Sequence, residues 1–230
     1  MKKAIFGALA LALCGAANAG PVWEYSTGPG TFGDNNSSYE YGYDSITTRY
    51  DVDSGDFVFE VDYAAENRPG VNQDRRNDTA RSGWLVVNAG GNPKGEDGLA
   101  ILYFDRASGN VWAYEYNGEN SPNSWATGNF LGFFADAYST NGSVSTLSIN
   151  ASAINAQLAG GIQFDDSVGI WFHPAFSGRA RGNHNGMRSF DPGRTVWYDV
   201  AYRDTVNVPA PATLLLLGLG LIGLGMRRRS

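Results

Sequence analysis

Residues 57 to 63 read Phe-Val-Phe-Glu-Val-Asp-Tyr, with an apolar side chain at every second position. A strand points successive side chains to opposite faces, so Phe57, Phe59, Val61 and Tyr63 share one face and Val58, Glu60 and Asp62 the other. The run Ile46 to Asp51 precedes it across Asp53-Ser54-Gly55, and the two predict a β-hairpin. Leu99 to Asp105 and Val111 to Tyr116 predict a second, turning through Arg106-Ala-Ser-Gly109. Tyr39 to Tyr43, Trp84 to Asn88, Phe130 to Ala137, Ser143 to Ile149, Val168 to Phe172 and Thr195 to Ala201 are further strand candidates. One segment reads as helix: Asn150 as N-cap, Ala151 to Leu158, and Gly160-Gly161 as the stop. About ten short strands separated by turn residues predict an all-β fold, an antiparallel two-sheet sandwich of jelly-roll or lectin-like type, with a closed barrel as the alternative. Two polar stretches, Asn67 to Ser82 and Ser177 to Arg194, are expected to be surface loops.

The two ends of the chain carry a different kind of information. Lys2 and Lys3 precede an apolar run from Ala4 to Leu13, and Ala17-Asn18-Ala19 places small residues where a signal peptidase cuts. Residues 1–19 therefore read as a signal peptide, with Gly20 the first residue of the mature chain. The only cysteine, Cys14, lies inside that segment and follows Leu13, where a lipid-attachment signal needs a small residue. The mature protein then has no disulfide, and its stability must come from an ordinary core.

At the other end, Val208-Pro209-Ala210-Pro211 leads into an apolar run from Ala212 to Met226, closed by Arg227, Arg228 and Arg229. The run is 15 residues long and contains Gly218, Gly220, Gly223 and Gly225. As a helix it would cover roughly 22 Å of a hydrocarbon core about 30 Å thick, short for a permanent span. The arginines would stay on the cytoplasmic side and leave the body of the chain outside. Gly218-Leu-Gly220-Leu-Ile-Gly223 matches a dinucleotide-binding string, but it lies inside the apolar run with no strand before it or acidic residue after it, and is rejected.

This order of Pro-containing motif, Leu/Gly-rich helix and Arg cluster resembles the PEP-CTERM sorting tail of Gram-negative bacteria, with Ala210 where the name-giving motif has Glu. The resemblance covers residues 208–230 and implies recognition by an exosortase-type membrane enzyme. It implies an inner-membrane intermediate followed by release to the cell surface or an extracellular, polysaccharide-rich biofilm matrix. The family carries many unrelated middle domains, so no biochemical activity comes with the tail.

Residues 20–207 are enough for one domain with a substantial core. Without Lys2, Lys3 and Arg227 to Arg229, 12 basic residues face 23 acidic ones, a net charge of about −11. Such a body is repelled by nucleic acid and by anionic lipid, and suits a soluble surface protein, a neutral glycan or a cation.

Three sets of residues are candidates for chemistry. Glu60, Asp62 and Glu66 resemble the carboxylate motif of retaining endoglucanases on lectin-like sandwiches, in which one Glu is nucleophile and the other acid, but with one residue too many before Glu66. Solvent-facing alternation on an acidic strand gives the same pattern. Asp51, Asp53 and Asp56 gather carboxylates around Gly55 as a calcium loop does, although the EF-hand spacing is absent and a hairpin turn needs the same residues. Trp125, in the polar segment Asn120 to Gly128, is a candidate glycan platform or a loop anchor, whereas Trp112 and Trp171 read as core and His173 as a satisfied strand-end residue. No motif calls for a cofactor beyond that calcium candidate. The sequence predicts an exported, non-enzymatic β-sandwich protein, structural or adhesive with weak glycan binding. The alternative is a carbohydrate-active enzyme.

Overall fold

A computed structural model of the chain describes residues 20–31, 42–63, 79–118, 128–191, 193 and 198–208. These residues form two large antiparallel sheets and a separate two-stranded hairpin, with almost no helix. The first sheet contains β1 (Val22–Thr27), β2 (Gly30–Thr31), β3 (Gly42–Asp51), β4 (Asp56–Tyr63), β9 (Tyr138–Asn141), β10 (Val144–Asn150) and β15 (Val206–Val208). Their order is β15-β1-β3-β4-β10-β9, with β2 paired to the β3 end away from β1's start. The second sheet contains β5 (Ser82–Asn88), β6 (Asp97–Asp105), β7 (Asn110–Asn117), β8 (Phe130–Phe134), β11 (Ser167–Ala175) and β14 (Tyr198–Asp204), in the order β14-β11-β5-β6-β7-β8. Two separate sheets with distinct edges exclude the closed barrel.

Both predicted hairpins form. Tyr50 pairs with Phe57 across the first turn, and Asp105 with Asn110 across the second. Alternation places Phe57, Phe59, Val61 and Tyr63 in the core between the sheets, as expected. They meet Leu85, Leu102, Phe104, Val168, Ile170 and Phe172 of the second sheet. The Phe59 and Phe172 rings cross edge to face at 4.9 Å, and Tyr63 meets Phe176 the same way at 5.7 Å. Burying each such side chain stabilises the fold by about 1.5–3 kcal/mol before entropy is counted.

The segment expected as a surface loop between Ser177 and Arg194 is instead a hairpin, β12 (Arg179–Asn183) with β13 (Gly186–Asp191). It lies over the outer face of the second sheet, which is not a polar surface. Trp84, Val86, Ile101, Tyr103, Trp112, Tyr114 and Trp171 form a second core there, closed by Ala180 and Met187 with Phe190 packed against it. Polar tips fix the hairpin in place. Trp112 Nε1 donates to the carbonyl of Asn183 at 3.0 Å, and the Met187 N–H donates to Tyr114 Oη at 2.6 Å. Arg179 Nε donates to the buried Asp105 carboxylate at 3.1 Å. β5 is consequently buried on both faces along its length.

The helix is shorter than expected. α1 spans Ser152–Asn155, with Ala151 at the N-cap position, and a turn carries on to Leu158. Asn150, expected as the N-cap, lies one residue before it, and its Oδ1 accepts the Ser152 N–H at 3.1 Å. The strand expected over Phe130 to Ala137 stops at Phe134. Asp136 then takes a φ of 54° and the chain crosses to the first sheet as β9. Among the described residues no helix is long and apolar enough to cross a membrane. The predicted signal peptide, residues 1–19, and the apolar helix, residues 212–226, lie outside the described residues.

Candidate functional site: the corner where the chain ends meet

β1 and β15 run antiparallel at one edge of the first sheet, with Val22 opposite Val208, Trp23 opposite Asn207 and Glu24 opposite Val206. The first strand thus starts where the last one stops. Val208, the first residue of the sorting motif, is also the last residue of β15. Pro209 follows, and without an N–H it cannot extend the ladder as a donor. The last described residue, Val208, therefore lies beside the start of β1.

The turn between β3 and β4 completes the corner, and its geometry follows from its residues. Asp51 Oδ1 accepts the N–H groups of Asp53 and Ser54, both at 3.0 Å, so its side chain draws the turn closed. Ser54 Oγ accepts the Asp56 N–H at 3.2 Å. Gly55 takes a φ of 75°, where glycine carries no steric penalty. Asn150 Nδ2 donates to the Ser54 carbonyl at 2.7 Å and to Asp56 Oδ1 at 3.0 Å, and the Ala151 N–H donates to the Gly55 carbonyl at 2.8 Å. On the other side, the Val52 N–H donates to the Pro21 carbonyl at 3.1 Å, and the Gly20 N–H donates to the Asp53 carboxylate.

Asp51, Asp53 and Asp56 thus each have a structural partner. Among the described residues no group of three His, Cys, Asp or Glu side chains is placed to hold a metal ion. The same residues tie the hairpin turn through these hydrogen bonds.

Glu60 and Asp62 share the outer face of β4, as alternation required. Glu60 is exposed and accepts a hydrogen bond from Thr146 Oγ1 at 3.2 Å, and Asp62 accepts one from Ser143 Oγ at 2.6 Å. Register sets Glu60 in a row with Ser26, Thr47, Thr146 and Ser139 across five strands. Its cross-strand neighbours are hydroxyls rather than a second carboxylate. Glu66 and Trp125 lie outside the described residues, as do Ala17, Ala19, Pro209, Ala210, Pro211, Arg227, Arg228 and Arg229.

Trp112 and Trp171 are buried, as expected, but in the second core and not between the sheets. His173 is buried in the middle of this layer, stacked on Trp84 with ring centroids 4.1 Å apart and planes 4° from parallel. Burial, and then the charge of Lys94, push its pKa down to about 3, so it is a neutral packing residue at physiological pH. Burial likewise pushes the Tyr63 hydroxyl up to about 12. Sequence reasoning missed the pairing of β1 with β15 and the role of Asp53.

Comparison with known proteins speaks to the tail. Residues 207–229 match the PEP-CTERM protein-sorting motif. No curated protein matches the chain. Among solved structures, a chain described under pH-induced modulation of Streptococcus parasanguinis adhesion by Fap1 fimbriae is similar at 12% identity, covering 81% of this chain and 91% of that one. The TM-score is 0.25, too low to define a shared fold.

Proposed function

We propose that this chain is an exported protein whose tail is the substrate of an exosortase-type sorting enzyme and whose β-sandwich is the cargo. In this reading signal peptidase removes residues 1–19, and the segment 212–226 holds the protein in the inner membrane. Processing at the motif then sends the body to the cell surface or the extracellular matrix. There it serves as a structural or adhesive component, in contact with extracellular polysaccharide, and not as an enzyme.

The observation that carries the reading is the motif match over residues 207–229. The corner geometry supports it, because both membrane-directed segments adjoin one edge of the first sheet and the body can fold while held at both ends. The acidic body suits a soluble cargo. The hydroxyl row Ser26, Thr47, Thr146 and Ser139 beside Glu60 supports weak contact with a hydrated glycan better than it supports hydrolysis. A retaining hydrolase needs two carboxyls about 5–5.5 Å apart.

Cell fractionation of a host with the sorting enzyme tests this. The expected result is that the intact chain reaches the surface or medium, while a chain ending at Val208, or one carrying Pro209→Ala with Pro211→Ala, stays in the periplasm or membrane. Equal distribution of all three would overturn the sorting role.

A further inference from the structure

We infer that removal of the signal peptide creates a latch: the new α-ammonium of Gly20 is captured by the Asp53 carboxylate and pins the start of β1, the strand that holds the sorting motif's own strand, β15. The inference deepens the proposed function and rests on its signal-cleavage step. Three observations converge on it. The sequence puts the cleavage site between Ala19 and Gly20. The fold brings the Gly20 nitrogen onto the Asp53 carboxylate, with the backbone bond from Val52 to Pro21 beside it. Any Cβ on residue 20 would fall on that carboxylate, so glycine is what allows the approach.

In the uncleaved chain the Gly20 nitrogen is a neutral amide, and only the carboxylate side of the bond is charged. Cleavage turns the same atom into a cation, which adds the attraction between opposite charges to the bond already there. Asp51 keeps Asp53 in place through the turn. The charged side chains on the segments packed at this corner are Asp51, Asp53 and Asp56 on the turn, Glu24 on β1 and Arg49 opposite it on β3. β15 brings none. The pairing of Val22 with Val208 carries the constraint to the motif. Cutting the first end of the protein thus steadies the edge from which the second end is presented.

The chain offers an unusually clean test, because its only lysines are Lys2, Lys3 and Lys94. The mature protein then has two amines, Gly20 and Lys94. The exported protein is treated with trace isotope-labelled acetic anhydride at pH 7, and acylation of each amine is read by mass spectrometry. Only the free amine reacts, and an ammonium held by a carboxylate gives up its proton above the ordinary α-amino range of about 7.7–8.0. For an exposed pair, Asp53→Asn should speed Gly20 acylation about threefold relative to Lys94. Asp53→Glu should restore the slow rate, and Gly20→Ala, which displaces the carboxylate, should give the fast one. A Gly20 rate unchanged by Asp53→Asn and by Gly20→Ala overturns the latch. A first residue other than Gly20 overturns the cleavage step beneath it, and the same mass spectra distinguish the two failures.

Discussion

Replacing Gly55 with alanine tests the corner where the chain ends meet. At a φ of 75° an L-residue pays roughly 1–2 kcal/mol. The added Cβ would also fall on Ser152 Oγ, displacing a hydroxyl that donates to the Ser54 carbonyl at 3.3 Å. Losing that bond adds about 0.5–1.5 kcal/mol. The total is about 1.5–3.5 kcal/mol, which for a domain of this size lowers Tm by roughly 3–14 °C. Thermal unfolding of the mature protein, followed by circular dichroism, reads it directly. Measured against Ser152→Gly alone, which already lacks that hydroxyl, Gly55→Ala should cost only the backbone share, about 1–2 kcal/mol. The sign decides the matter. A glycine in ordinary backbone would gain about 0.4–1 kcal/mol on becoming alanine, so a neutral or stabilising Gly55→Ala would refute the left-handed turn and the corner built on it.

Other expectations follow from the second core and the titratable groups. Met187→Ala, in a hairpin clamped over aromatic side chains, should cost about 2–5 kcal/mol by urea unfolding, as a buried methionine does and a loop residue does not. His173 has a folded pKa near 3, below the unfolded value of about 6.5, so its stabilising contribution is complete above pH 6.5 and lost as pH falls from there toward 3. His173→Phe should therefore show a shallower fall in Tm across that window than the native chain; parallel curves would contradict the buried neutral ring. Calcium or a chelator should move Tm by less than about 1 °C, because Asp51, Asp53 and Asp56 are held by hydrogen bonds; a larger calcium-dependent rise, reversed by chelation, would restore the metal loop.

The sequence made some of this legible for identifiable reasons. β3, β4, β6 and β7 alternate cleanly or run apolar, and Gly55 and Gly109 mark their turns with positive φ. Register then places Glu60 and Asp62 on the outer face without further information. The β12–β13 hairpin was hidden because only a few of its side chains, chiefly Ala180, Met187 and Phe190, meet the core, while Arg181, Arg188 and Ser189 are exposed. A strand that buries small residues against someone else's aromatics has no hydrophobic signature of its own. β15 was hidden for a different reason. Three residues carry too little pattern, and the strand exists because β1, at the far end of the sequence, supplies its partner. The sorting motif was legible because it is read as a linear signal, whereas the corner that presents it depends on long-range pairing.

In the proposed function both ends of the precursor are addresses and the β-sandwich between them is the delivered cargo. Intact-mass measurement of the protein recovered from the surface or medium tests this most directly. The account predicts a species that begins at Gly20 and lacks Leu214 to Arg229. A recovered protein that keeps the apolar run and its arginines would contradict it and make the tail a lasting anchor.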